Sequence, residues 1–138
     1  EYPLIHTSGR LVEYEGGGEE TRSNPWLAEL QQNMFAEINP ADANDIGIRD
    51  GQWVWLEGPE GGRIKVMAMV TQRVGRGVVF TPYHFGGWFE GKDLLAKYPE
   101  GTAPYVRGDA ANTAFTYGYD SVTAMQETKA SLCKITAA

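Results

Sequence analysis

A chain of 138 residues, 42% hydrophobic and 22% charged, is one globular domain's worth of sequence, and that balance excludes disorder, collagen and coiled coil. The net charge of −6, from 18 acidic against 12 basic residues, disfavours nucleic acid as a partner, because neutralising phosphates carries that affinity. One cysteine, Cys133, and two histidines, His6 and His84, exclude a disulfide scaffold and a four-ligand zinc site, and no apolar run approaches the roughly 18–20 residues of a membrane span, so no direct membrane insertion is expected.

The chain opens on Glu1, with no Met, basic n-region or apolar h-region, which reads as a processed chain or a piece of a longer polypeptide without a signal peptide. Tyr2–Ser8 alternates loosely and predicts an opening strand that turns at Gly9-Arg10. Glu13–Asn24 is acidic, Gly-rich and without apolar period, and reads as a flexible surface loop. Pro25–Asn33 predicts a short helix, with Asn24 as its cap and Pro25 in the first helical position. Met34–Ile38 follows as a short strand.

The segment Asn39–Ile48 is the best punctuated. Asn39 is an N-cap residue, Pro40 suits the first turn, Asp42 sits where the helix dipole favours an anion, and Gly47 closes the helix. After the Asp50-Gly51 turn, Gln52–Glu57 and Arg63–Gln72 read as two strands joined at Gly58–Gly62, and Val78–Thr81 as another after Gly75–Gly77. Pro82–Asp109 reads as irregular, with one helical turn at Lys92–Lys97; a stretch this long without structure is usually functional or packed on a partner. Asn112–Gln126 is ambiguous, and Lys129–Ile135 reads as a closing strand. About six short strands with two or three short helices describe a small, mainly β barrel over one domain, residues 1–138.

Few residues announce chemistry by themselves. No Ser/His/acid trio assembles by spacing, so no catalytic residue is assigned. His84, among the aromatics of Pro82–Phe89, and His6, within a strand, read first as hydrogen-bonded structural residues. Cys133, in an alternating strand, reads as a buried inert thiol. Thr7-Ser8-Gly9-Arg10 sets two hydroxyls, a permissive backbone and a guanidinium just past a strand, which suits an oxyanion or phosphate, although the pattern alone more often describes a turn with a solvated Arg. The Gly16–Gly18 run lacks nucleotide-fingerprint spacing, and the Glu13, Glu15, Glu19, Glu20 cluster lacks calcium-loop spacing.

Taken together, Ile38–Ala43, Ile46-Gly47-Ile48, Asp50–Val54, Glu60-Gly61-Gly62 and Val78–Phe85 resemble, in order and spacing, the signature of the molybdopterin-dinucleotide-binding domain that closes the large subunit of dimethyl-sulfoxide-reductase-type molybdenum and tungsten oxidoreductases. Ala111-Asn112-Thr113 and Lys129–Cys133 are similar to that family's ending, and the Gly118–Lys129 tail is most like the formate dehydrogenase alpha subunit. The resemblance implies a double-psi β-barrel of the aspartate-decarboxylase-like kind, with short helical insertions. It implies a molybdopterin guanine dinucleotide, in its bis form (bis-MGD), whose Mo or W is bound through other domains.

Matched motif by motif, the resemblance assigns cofactor contacts to Thr7, Ser8, Gly9 and Arg10, to Thr21 and Arg22, to His84 (with His84 or Phe85 at the position near the substrate funnel), and to Asn112 and Lys129. It assigns no metal ligand, and one Cys cannot hold an iron–sulfur cluster. The implied partners are the remainder of the large catalytic subunit and its iron–sulfur subunits, with the chain alone not catalytic. The compartment, bacterial periplasm or cytoplasm, stays open. Two other readings are a stand-alone cofactor-binding subunit of a formylmethanofuran-dehydrogenase type and a non-redox double-psi binding module. The sequence departs from the family at Glu15–Gly18, where a His or Trp pair is frequent, and Phe89–Asp109 is longer than the family minimum.

Overall fold

The computed structural model describes residues 1–115, 118–127 and 129–138. Six strands close a barrel: β1 (Leu4–Gly9), β2 (Phe35–Ile38), β3 (Trp53–Glu57), β4 (Arg63–Val70), β5 (Val78–Pro82) and the last strand, Ser131–Ala137, in the cyclic order β1, β5, β2, β4, β3, last strand. β1 pairs in parallel with β5, and β2 in parallel with β4; the remaining seams are antiparallel. This mainly β, six-stranded closed barrel is the expected fold class.

Period-two alternation decides which side chains fill the barrel. Val54 and Leu56 of β3, Ile64, Val66 and Ala68 of β4, and Val79 of β5 are all buried, while their neighbours along each strand are more exposed. β2 is buried along its whole length, which accounts for its short, continuously apolar reading, broken only by Glu37. Glu37 is neutralised by Arg73 at 3.1 Å. Each buried Val, Leu or Ile contributes roughly 1.5–3 kcal/mol.

Two helices decorate the barrel. α1 spans Pro25–Leu30, three residues shorter at its end than predicted, and is capped by the Asn24 side chain. α2 spans Pro40–Ile46, capped by Asn39 and closed by Gly47 at φ 73°, a left-handed conformation that favours Gly. Asp42 does more than face the helix dipole. Its carboxylate accepts the Gly77 N–H at 2.6 Å and lies 3.4 Å from Arg76, so it ties α2 to the turn that starts β5.

Two expectations are corrected. Pro82–Asp109 is not irregular: β6 (Gly87–Phe89), β7 (Lys92–Asp93) and β8 (Gly108–Asp109) form a second small sheet, with a 3-10 turn at Leu95–Lys97 between β7 and β8, inside the span expected to hold a helical turn. The strands are only two or three residues long, too short to show a period. Glu13–Asn24 is not a free surface loop: Tyr14, Gly18 and Arg22 are buried, and Thr21–Ser23 is a 3-10 turn. Its buried groups alternate with exposed Glu and Gly, which hides them from composition.

The last strand, β9 (Ser131–Ala137), starts two residues later and ends two residues beyond its predicted span. Within the ambiguous stretch, Ala111–Thr113 is a 3-10 turn and Asp120 organises a tight turn over Val122 and Thr123, closed by a Tyr119–Gln126 bridge. Thr116, Tyr117 and Thr128 of the late motif lie outside the described residues. No helix among the described residues is long and apolar enough to cross a membrane.

Candidate functional site

The parallel pair β1–β5 brings the two halves of the site together. Its register sets Ser8 beside Thr81 and Gly9 beside Pro82, so both strands run out at the same end of the barrel. The chain beyond β5 then passes directly over the end of β1, with Tyr83 N–H donating to the Gly9 carbonyl at 2.9 Å. The Ser8 hydroxyl donates to the Tyr83 hydroxyl at 3.1 Å. The Lys129 ammonium donates to the Ser8 carbonyl at 2.8 Å and lies 4.6 Å from the centre of the Tyr83 ring. Ser8, Gly9, Tyr83 and Lys129 therefore form one contiguous cluster, although 121 residues separate Ser8 from Lys129.

A cleft of about 140 Å³ continues from Tyr83, lined by Gly17, Tyr83, His84, Phe85, Ala110, Ala111 and Asn112. His84 has a left-handed backbone, φ 70°, uncommon for a residue with a side chain. Its ring makes up for this by holding the early loop. Leu11 N–H donates to Nε2 at 2.9 Å, and Nδ1 lies 2.7 Å from the Gly16 carbonyl. A carbonyl only accepts, so Nδ1 carries the proton and Nε2 the lone pair. Gly18, φ 74°, packs so closely that a Cβ there would run into the His84 carbonyl oxygen.

His84→Ala is expected to cost about 2 kcal/mol, from two lost backbone–ring bonds, and to open residues 13–20 to proteolysis. Urea denaturation with limited proteolysis checks both; a variant as stable and as protease-resistant as the parent would refute the docking role.

The other sequence-derived candidates lie elsewhere. Thr7 is half-buried within β1 opposite Phe80, and Arg10 is exposed just past the strand. Thr21 accepts the Glu15 N–H at 3.2 Å. Arg22 is 8% exposed, and its Nη1 donates to the carbonyls of Gly86 at 3.0 Å and Val106 at 3.3 Å. Burial pulls its guanidinium below the ordinary arginine range, against the nearby Tyr98 and Glu19. In this structure Arg22 bolts the early loop to the small sheet. Tyr83 was missed as a site residue; the signal was its place directly before His84, at the exit of a strand parallel to β1.

Two buried groups lie outside the cleft lining, next in chain or in contact with the segments that carry it. Asp109 of β8, which leads into Ala110–Asn112, is fully buried, and its Oδ2 accepts the N–H groups of Lys65 and Gly91, each at 2.7 Å. Burial pushes this carboxyl above the usual carboxylate range, against the pull of those backbone donors. His6 stacks on Phe115, ring centres 3.6 Å apart, and its Nε2 meets the Thr81 hydroxyl at 2.7 Å. Burial pushes the His6 imidazole down to about 4. Cys133 is buried, with its thiol pushed up to about 12, so it is inert as a nucleophile.

The family model for the molydopterin dinucleotide binding domain matches residues 4–132. The formate dehydrogenase subunit alpha of Megalodesulfovibrio gigas is 32% identical across 99% of this chain and 13% of its own length. The F420-dependent formate dehydrogenase 1 subunit alpha of Methanococcus maripaludis is 36% identical across 62% of this chain and 12% of its own. The chain thus spans about an eighth of these relatives, which are parts of oxidoreductases. Among solved structures, acetylene hydratase from Pelobacter acetylenicus superposes on 99% of this chain and 18% of its own with a TM-score of 0.75 at 18% identity, a likeness of fold. The chain belongs to the molydopterin dinucleotide binding domain family.

Proposed function

We propose that the chain holds a molybdopterin guanine dinucleotide across the Ser8–Tyr83–Lys129 cluster and the adjoining cleft, as the cofactor-binding domain of a formate-dehydrogenase-like large subunit. The observation that carries this reading is the convergence on Tyr83: the β1 exit with its ammonium lies on one side, and the cleft bearing His84 and Asn112 on the other.

The donor set fits such a group. Lys129 supplies a positive charge, which suits a phosphate oxygen, beside the polar hydroxyl pair of Ser8 and Tyr83. The exposed Asn112 carboxamide, donor and acceptor at once, suits the edge of a guanine or pterin ring. Thr7, Arg10, Thr21 and Arg22 are proposed at the margin, where Arg22 acts through the loop it anchors.

The bound group would supply the redox chemistry, and this chain's residues bind and orient it. In this reading its bis-MGD form, its Mo or W, formate oxidation, the rest of the large subunit and the iron–sulfur subunits belong to the whole enzyme. Titration of the chain with GDP, followed by amide shifts, tests the reading. Shifts are expected at Ser8–Arg10, Tyr83–Phe85, Asn112 and Lys129, with affinity about tenfold lower for Lys129→Ala, the loss of one charge-assisted contact of about 1.5 kcal/mol. Saturating GDP without shifts in these segments would overturn it.

A further inference from the structure

The turn between β3 and β4 lies outside the cleft, yet it is built around the segment that carries Asn112. The backbone of Gly58 passes so close that a Cβ there would run into the Ala114 carbonyl oxygen and lie 3.1 Å from its carbon. A Cβ on Gly62 would run into the Thr113 oxygen and lie 3.2 Å from both the Thr113 carbonyl carbon and Ala114 Cα. The obstacles are backbone atoms, which no rotamer change can move aside.

Neither glycine has a left-handed φ, so the turn's own conformation does not require them. The turn closes through Gly58 N–H to the Gly62 carbonyl at 2.9 Å. Gly61 is the opposite case: φ 86° with nothing within 4 Å of its would-be Cβ.

The Asn112 segment is itself stiff. Thr113 N–H bonds the Ala110 carbonyl at 3.0 Å, and Ala114 and Phe115 N–H bond that of Ala111 at 3.1 and 3.2 Å. Phe115 is stacked on His6. A push at Thr113–Ala114 is therefore transmitted to Asn112 rather than absorbed.

We propose that Gly58 and Gly62 are positioning residues of the dinucleotide site, setting the height of the Asn112 turn over the cleft by admitting its backbone. This rests on the reading of the cleft as the dinucleotide site. The test compares Gly58→Ala and Gly62→Ala with Gly61→Ala, by amide spectra without ligand and by GDP titration.

Both contact variants are expected to shift Ala110–Phe115 and Tyr83–Phe85 in the ligand-free spectrum and to lower GDP affinity at least tenfold. Gly61→Ala is expected to perturb only the turn and to retain GDP affinity even where stability falls. Unmoved cleft resonances in the contact variants, or equal movement in Gly61→Ala, overturn the proposal. If the parent chain fails to bind GDP, the site reading falls, and the ligand-free spectra still decide the coupling. If the alanine variants fail to fold, native-state hydrogen exchange of the parent decides it: the amides of Gly58, Ala114 and Phe115 open together if the turn and the segment are one unit, and separately if the proposal is wrong.

Discussion

Asp109→Ala is expected to remove about 3–5 kcal/mol of stability at neutral pH, the largest effect of any single substitution considered. The carboxylate is fully buried and satisfies the N–H groups of Lys65 in β4 and Gly91 in the small sheet. Truncation takes the acceptor from both half-buried donors, at about 1 kcal/mol or more each, and opens a cavity where β8 meets the barrel. Asp109→Asn separates hydrogen bonding from charge, since its carbonyl keeps both bonds and the variant is expected to lose only about 1–2 kcal/mol.

The pH dependence fixes the sign of the charge effect. The Asp109 carboxyl is raised by burial, so its contribution is fully present below the unfolded value, 3.8, and is lost as pH rises through the folded one. The stability advantage of the parent over Asp109→Asn should therefore shrink as pH rises from about 4 and then level off. Urea denaturation of the three proteins across this range checks it, and an advantage that grows with pH would refute a carboxyl held up by burial. Because Asp109 runs into Ala110–Asn112, the alanine variant should also lose the ordered cleft.

How much of this was readable beforehand depends on the distance over which each element is determined. The caps and turns around α2 were legible because Asn39, Pro40 and Gly47 act within one turn of the residues they stabilise. The strands of the barrel were legible because Ile64, Val66 and Ala68 alternate with exposed neighbours. The small sheet was not, since Gly87–Phe89 and Lys92–Asp93 are too short to show a period, and the Arg22 and Asp109 contacts beside them come from distant residues that no local pattern displays.

The site shows the same division. Ser8, Gly9, Asn112 and Lys129 came from motif resemblance, and the fold confirms that Ser8, Gly9 and Lys129 are neighbours. Tyr83, which joins them to the cleft, was visible only once the parallel register of β1 and β5 was known. Arg22 was assigned as a cofactor contact with Thr21 by motif resemblance, whereas its burial and two carbonyl partners tie it to the structure of the loop.

Acidification should destabilise the fold through His6 well before it protonates most carboxylates. The ring is buried against Phe115 and Thr81, and its Nδ1 has no hydrogen-bond partner among the described residues. A second proton would therefore place a charge on a buried ring that solvent does not reach, which is why burial lowers the imidazole from 6.5 to about 4. The unfolded chain takes up this proton below about 6.5 and the folded chain only near 4, so stability falls as pH drops through that window and stops falling below it.

At about 1.4 kcal/mol per pH unit the full loss is about 3 kcal/mol. His6→Phe keeps an aromatic face for Phe115 and removes the titration, at the cost of the Thr81 bond, about 1 kcal/mol. The parent should be the more stable protein at pH 7 and the less stable at pH 4, with the curves crossing between. Parallel curves would show that His6 is not held neutral by its surroundings.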